Sequence, residues 1–349
     1  MPASAGCMVA GVPVGVWKSY SELGELISEG ARENNLPEGS WWFYDQGQVR
    51  EEVHYSRGLK HGIQVLHYDG VLTDSVVWVQ GQKEGDAKSF RPDGTLKLTT
   101  RYQRNIREGK AIQFNNQGEV VAGAIFDQDE LVAEGITLKD GTKDGVWREF
   151  WPNGQVRAEG LYESGLREGE WTFYRITGEK EQKGNYRQGV FHGTWTWWYL
   201  DGEIHREEDY TRGKLDGEFL ELDTVGGVLV KGTFVGGDPE GPWIRNVHNH
   251  LEEGNYLSGQ KDGVWRMTDA SDVVRFEGMY SFGQPVGKHK YWHPNGVVEE
   301  VGKYESGAKH GKWRLYDDQG NLLHEYIYNY GKLRKVDGSK VDKRRDGKR

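Results

Sequence analysis

Three kinds of side chain in this chain have the type and spacing to do chemistry. His248-Val-His250 would set two imidazoles on one face of an extended strand, the beginning of a metal pair. The acidic runs Glu51-Glu52, Glu207-Glu208-Asp209 and Glu299-Glu300 offer paired carboxylates, the groups a glycosidase uses for acid–base work. Fourteen Trp, 18 Tyr and 11 Phe offer flat apolar faces on which a ligand or partner can stack. The first two readings are weak. Cys7 is the single cysteine, so the histidine pair has no thiolate nearby and an intramolecular disulfide is excluded. The acidic runs fall at repeated positions, as a solvated face does, whereas an enzyme needs a singular site. His61, His192 and His310 each precede a recurring glycine, which indicates a shared turn role. HExxH, GxSxG, an EF-hand loop and a glycine-rich phosphate loop are all missing. The chain therefore reads as non-enzymatic, with no metal and no cofactor, and the aromatic residues become the candidates for function.

What positions those aromatics is a repeat. Glycine takes 50 of 349 positions and proline only 9, and self-alignment gives a period near 24 residues. Gly145, Trp147, Phe150, Gly154, Tyr162 and Gly165 set the pattern, which restarts at Gly169 with Trp171 and again at Gly193 with Trp195. Anchor glycines stand at Gly15, Gly39, Gly62, Gly85, Gly109, Gly145, Gly169, Gly193, Gly217, Gly241, Gly263, Gly287 and Gly311. The spacing is 22 to 24 residues except for one gap of 36. Weaker units keep the frame while changing residues. Ala87 and Phe219 replace the Trp, Trp78 and Phe234 replace the Tyr, and Asn105 takes a glycine site, an exchange that left-handed backbone tolerates.

Each unit reads as two strands. The first is short, aromatic and β-branched, and ends in a turn such as Pro152-Asn153-Gly154; the second runs to the Tyr and a Gly-containing return. Three or more glycines per unit, each costing about 1 kcal/mol in a helix interior, disfavour helix. The expected fold is all-β: an elongated, single-layer, twisted array of antiparallel β-hairpins. The expected organisation is an N-terminal extension over 1–14, front repeats over 15–126 and an extra strand or hinge over 127–144. Back repeats over 145–331 and a basic, disordered tail over 332–349 complete it. The 36-residue gap holds one further strand near 131–138 and predicts a discontinuity in twist or sidedness, with cleavage at 127–130 if it is a hinge.

The pattern Tyr-x-x-Gly-x-x-x-Gly-x-Trp at 162–171, 186–195 and 304–313 resembles the MORN repeat. The added turns Asn153-Gly154, Asp201-Gly202 and Asn295-Gly296 are closer to the bacterial MORN-variant family of YwqK-type antitoxins. That resemblance covers nearly the whole chain. It implies stacked β-hairpins and a role in protein interaction, with antitoxin activity in some members and lipid binding proposed for others.

Trp17, Trp41, Trp147, Trp171, Trp195, Trp243, Trp265 and Trp313 share one repeat position and therefore one face of their strands. The residue three further on, among them Tyr20, Tyr44, Phe150, Tyr174, Trp198, Trp292 and Tyr316, has the opposite parity. A single layer cannot hide both sets from water, so at least one is expected to be partly exposed or covered by a partner. The densest run, Trp195-Thr196-Trp197-Trp198-Tyr199, is the expected centre of that contact, and Tyr174 and Trp292, at the same repeat position as Trp198, are expected to take part in it. A net charge of -9 works against nucleic acid and anionic lipid, and favours a basic or amphipathic protein partner. No apolar run approaches 18 residues, so no membrane-spanning helix is expected. Ser4-Ala5-Gly6-Cys7 weakly resembles a lipoprotein signal, but only six residues precede Cys7. A cytoplasmic monomer or edge-strand dimer is expected; an envelope lipoprotein, whose frame would begin upstream of Met1, or a carbohydrate-binding module is the alternative.

Overall fold

The computed structural model describes residues 3–341, and among them every regular element is a β-strand. The chain divides into two compact units, Met1–Gly178 and Glu179–Arg349. Within each, strands pair antiparallel with the strand before and the strand after in sequence, as a hairpin meander requires. No helix among the described residues is long and apolar enough to cross a membrane.

Two kinds of turn alternate, and each has its chemistry in the sequence. A two-residue turn with both backbones left-handed, such as Ser164 (φ 50) and Gly165 (φ 85), matches the twist of the flanking strands. Asn105 has φ 72 at such a site, the conformation of the glycine it replaces. The wider turn closes as at 151–155, where the Trp151 N–H donates to the Gln155 carbonyl and the Gly154 N–H to the Trp151 carbonyl, each at 2.8 Å. The repeat glycines Gly145, Gly154, Gly165, Gly169, Gly193, Gly217 and Gly311 all have positive φ.

The 36-residue gap holds one extra strand, Glu130–Thr137, paired on one side with Val120–Asp127 and on the other with Lys143–Phe150. It is a full member of the sheet, and it inverts the repeat that comes after it. A hairpin unit has two strands, so each unit normally starts in the same direction; one added strand starts the next unit in reverse. A reversed unit that still propagates the same way is related to its predecessor by a half-turn about the stacking axis, which exchanges both edges and both faces. The edges show it: the wide turns at 138–142 and 151–155 flank one strand, Lys143–Phe150, and so lie on opposite edges. The faces show it too. The row of cross-strand partners from Trp147 runs back through Gly135, Gly123, Ile112, Thr99, Lys88, Ser75, Val65 and Glu52. It ends on Trp42, not on its neighbour Trp41. Trp41 and Trp147, equivalent in the repeat, therefore face opposite sides of the same sheet.

Three expected boundaries differ from the structure. The 1–14 segment is not an extension: Ser4–Val9 pairs with Val12–Tyr20, and Cys7 is an exposed member of that hairpin opposite Val14. The basic segment from 332 begins as sheet, since Lys332–Val336 pairs with Leu322–Asn329 and then with Ser339–Lys340. The rest of the expected tail lies outside the described residues. The division into units falls at 178/179, not at 127–144, where the extra strand pairs with a neighbour on each side.

Candidate functional site

The repeated Trp is the core of each unit. Trp147, Trp171, Trp195, Trp265 and Trp313 are 0–1% exposed, and Trp41 and Trp243 at most 5%. Each ring lies across a glycine of the preceding strand: a Cβ would sit 2.3 Å from Trp41 at Gly30, 2.4 Å from Trp171 at Gly160 and 2.1 Å from Trp313 at Gly302. This glycine, fifteen residues after most anchors, is absent from the repeat pattern of anchor, Trp, aromatic and turn. It was legible, because it covaries within the chain. Three units without the indole have also lost the glycine: Val53 faces Gln64, Thr100 faces Ala111 and Glu208 faces Phe219, while the unit with His289 in the Trp position keeps Gly278. The indole N–H donates to the carbonyl just after that glycine, from Trp41 to Ala31 at 2.9 Å and from Trp265 to Asn255 at 3.0 Å. The repeated Tyr fills the space between successive rings, as Tyr256 does edge-on at 5.7 Å from Trp243 and 5.0 Å from Trp265.

His289 occupies the Trp position of its unit and was not singled out from the sequence, although the frame from Gly287 points to it. It is 1% exposed over Gly278, with Nε2 2.9 Å from the Met279 carbonyl. Burial holds its imidazole below the ordinary value. Glu149 was also missed. Its carboxylate is buried and meets Lys143 at 3.2 Å, Arg157 at 3.0 Å, Arg167 at 3.2 Å and the Tyr162 hydroxyl, which donates at 3.0 Å. Burial opposes its ionisation most strongly, yet Lys143, Arg167, Tyr162 and Arg157 together outweigh that and hold the carboxyl at about 2.

Of the candidates for catalysis, Glu207 and Asp209 share a strand face, where they accept from the Thr196 and Thr194 hydroxyls at 3.5 and 2.7 Å, while the adjacent pairs separate. Adjacent residues of a strand point to opposite faces, so Glu51 and Glu52, or Glu299 and Glu300, cannot act on one bond. Glu51 accepts from Lys60 at 3.1 Å and Gln64 at 2.6 Å, and Glu300 from Lys309 at 2.7 Å. His248 and His250 do not share a strand face: His248 sits in a turn with φ 57, and His250 starts the next strand with Nε2 3.6 Å from Glu252. Among the described residues no group of three or more His, Cys, Asp or Glu could hold a metal ion.

The expected partner site is split as well. Trp195 is fully buried and unavailable to a partner, because its ring is the core of its own repeat. Trp197 shares its face, 6.0 Å from it, half-buried beneath the Arg206 guanidinium at 4.6 Å. Trp198 points the other way, and Tyr199 opens the following turn, its hydroxyl donating to the Leu222 carbonyl at 2.7 Å. Trp292 lies eight strands further on, about 38 Å at ~4.8 Å per strand, so it belongs to no common site with Trp198. Tyr174 closes the first unit; its hydroxyl donates to Glu159 at 2.8 Å, and burial together with that carboxylate pushes its phenol up to about 12. Tyr20, Tyr44, Phe150, Tyr174, Trp198, Trp292 and Tyr316 are all half-buried, in contrast to the Trp ladder.

The MORN repeat variant family model matches five segments: 37–57, 143–164, 191–211, 285–306 and 309–330. They coincide with the units anchored at Gly39, Gly145, Gly193, Gly287 and Gly311. No curated protein matches the chain. Among solved structures it is similar to a chain of the Photorhabdus luminescens Tc holotoxin pore, at 11% identity and a TM-score of 0.15, covering 92% of this chain and 20% of that one. A TcdB2–TccC3 structure without its hypervariable C-terminal region aligns at 11% identity and a TM-score of 0.17, covering 89% of this chain and 21% of that one. The chain thus spans about a fifth of the length of these structures.

Proposed function

We propose that this chain is a non-enzymatic scaffold for protein–protein interaction, meeting its partner through side chains outside the Trp ladder. The observation that carries this reading is the division of aromatic labour within each repeat. The Trp position is consumed by the core, whereas the aromatic three residues on stays half-buried in repeat after repeat. Half-exposed Trp and Tyr spread over a repeated surface suit a macromolecular partner better than a single reacting group. The MORN-variant matches support the same reading. The test is co-purification of the full chain from a close relative of its source, with a Trp197→Ala/Trp198→Ala double variant as control. One stoichiometric partner, lost in the variant, is the expected result. An equal yield of that partner from a folded variant removes Trp197 and Trp198 from the interface.

Antitoxin activity is the narrower form of this proposal, supported by the resemblance to YwqK-type antitoxins. It requires a small toxin gene beside this one across relatives, and its absence there would remove the narrower form alone. The half-buried rings also fit the stacking of sugars, and a glycan array without hits would end that second reading.

A further inference from the structure

The extra strand leaves a groove on the face of the first unit that carries Trp41. We infer that this groove docks a segment of a partner polypeptide presenting an aromatic side chain beside a lysine or arginine, an inference that rests on the scaffold reading. The groove has a volume of about 770 Å³, within the roughly 300–1,000 Å³ of ligand sites. Its floor is Ala111, Ala122 and Ala124, and its walls include Leu98, Tyr102, Phe126, Ile136 and Val146.

Its origin lies in the repeat. Ala124 stands where other units place the glycine beneath a Trp, and the residue opposite it on the next strand is where that Trp would be. Here the opposite residue is Glu134, because inversion has sent the following indole, Trp147, to the other face over Gly135. The preceding Trp position is Ala111, so two consecutive ring sites on this face are empty of rings. Other units seat an indole flat on a glycine; here the Cβ atoms of Ala111 and Ala124 form a floor with no indole of the chain over it, and an aromatic side chain supplied from outside covers that floor.

Charge selects the neighbour of that ring. Arg107 and Arg148, both on the lining, are already neutralised, by Asp129 at 3.1 Å and Glu159 at 3.3 Å, and Arg107 lies over the Phe126 ring at 4.2 Å. Glu134 is exposed and stands directly across the ladder from Arg148, whose guanidinium is paired with Glu159 on the next strand. The cross-strand row Glu134, Arg148, Glu159 holds two carboxylates to one guanidinium, and a cation on the incoming segment complements the excess negative charge at Glu134.

The experiment is a methyl-NMR titration of the full chain, labelled at alanine methyls, with the blocked tripeptide Lys-Trp-Lys. Saturable shifts confined to Ala111, Ala122 and Ala124 are expected, with no such shifts from Lys-Ala-Lys. Glu-Trp-Glu should bind more weakly by about threefold or more, the scale of one exposed charge pair. Glu134→Lys, at an exposed position, should reverse the order of the two charged peptides. Ala124→Leu should abolish the shifts, the remaining alanine methyls reporting that it is folded. Equal response to Lys-Ala-Lys, shifts spread over both units, or an unchanged charge preference in Glu134→Lys would overturn the groove. The scaffold reading is tested separately. A natural partner still held by Glu134→Lys and Ala124→Leu overturns the groove and leaves the scaffold standing; tripeptide binding with no natural partner supports the groove and counts against the scaffold.

Discussion

At the residue scale, stability rests on a size match between one strand and the next. The Trp41 ring is flat against Gly30, whereas one unit later the same positions hold Val53 and Gln64. Gly30→Val alone forces atoms where a Cβ already comes within 2.3 Å of the ring, and should cost about 1–3 kcal/mol as overpacking does. Trp41→Gln alone empties a buried ring site and should cost about 3–5 kcal/mol. The double variant copies a pairing the chain already uses, so its cost should fall well short of the sum, and urea unfolding of the four proteins measures that coupling. Additive costs would show that the glycine is there for some other reason. Glu149 makes a separate prediction through pH. Its carboxyl is held at about 2 against an ordinary value of 4.5, so the stability it contributes is complete above about 4.5 and is lost as pH falls toward 2. That shift corresponds to roughly 3 kcal/mol. Glu149→Gln should flatten the fall in Tm over that window, and an unchanged acid limb would assign the acid sensitivity to other carboxylates.

At the element scale, the extra strand is the feature that gives the first unit two different faces. A hinge at 127–130 would be cut first by a protease, but Gln128 and Asp129 form a two-residue turn with φ of 49 and 69. The Asp129 carboxylate accepts from the Arg107 backbone at 2.8 Å and from its side chain at 3.1 Å. Limited Glu-specific digestion should therefore spare the bond after Glu130 until the sheet itself opens, and early cleavage there would mean the ladder is loose. Much of this was legible in the residues. The anchor glycines and the turns at Asn153-Gly154 and Asn105 specify hairpins, and the gap of 36 between Gly109 and Gly145 announces one added strand. The exchange of faces is a consequence of that count by symmetry alone, although no single residue spells it out. The partner site was far less legible. Local alternation could not say that Trp195 would be sealed by its own repeat, since burial is decided by the glycine of the neighbouring strand, Gly184, and by Tyr186 edge-on at 5.0 Å. Nor could it find Glu149, whose partners Lys143, Arg157 and Arg167 come from three strands.

At the scale of the whole molecule, contacts are between sequence neighbours, so stability approximates a sum of unit terms and interface terms. Such an array has a graded response to damage, and the second unit shows where to look. Removing 309–349 takes away the last hairpin units and leaves Tyr304 without Trp313, its neighbour at 5.1 Å. Every ladder before Gln284–Trp292 keeps both of its partners, so the shortened chain should retain its sheet signal per residue and lose only a few degrees in Tm. Trp265→Ala does something different with a smaller change. It removes a ring that is 1% exposed and edge-on to Tyr256 at 5.0 Å, in the middle of the unit, at about 3–5 kcal/mol. Because that cost falls on the coupling between neighbours, the variant should unfold in two steps where the truncated chain unfolds in one. Differential scanning calorimetry of both proteins decides the matter. A truncated chain that has lost its whole transition would mean that distant repeats stabilise one another, which nearest-neighbour pairing of strands does not allow.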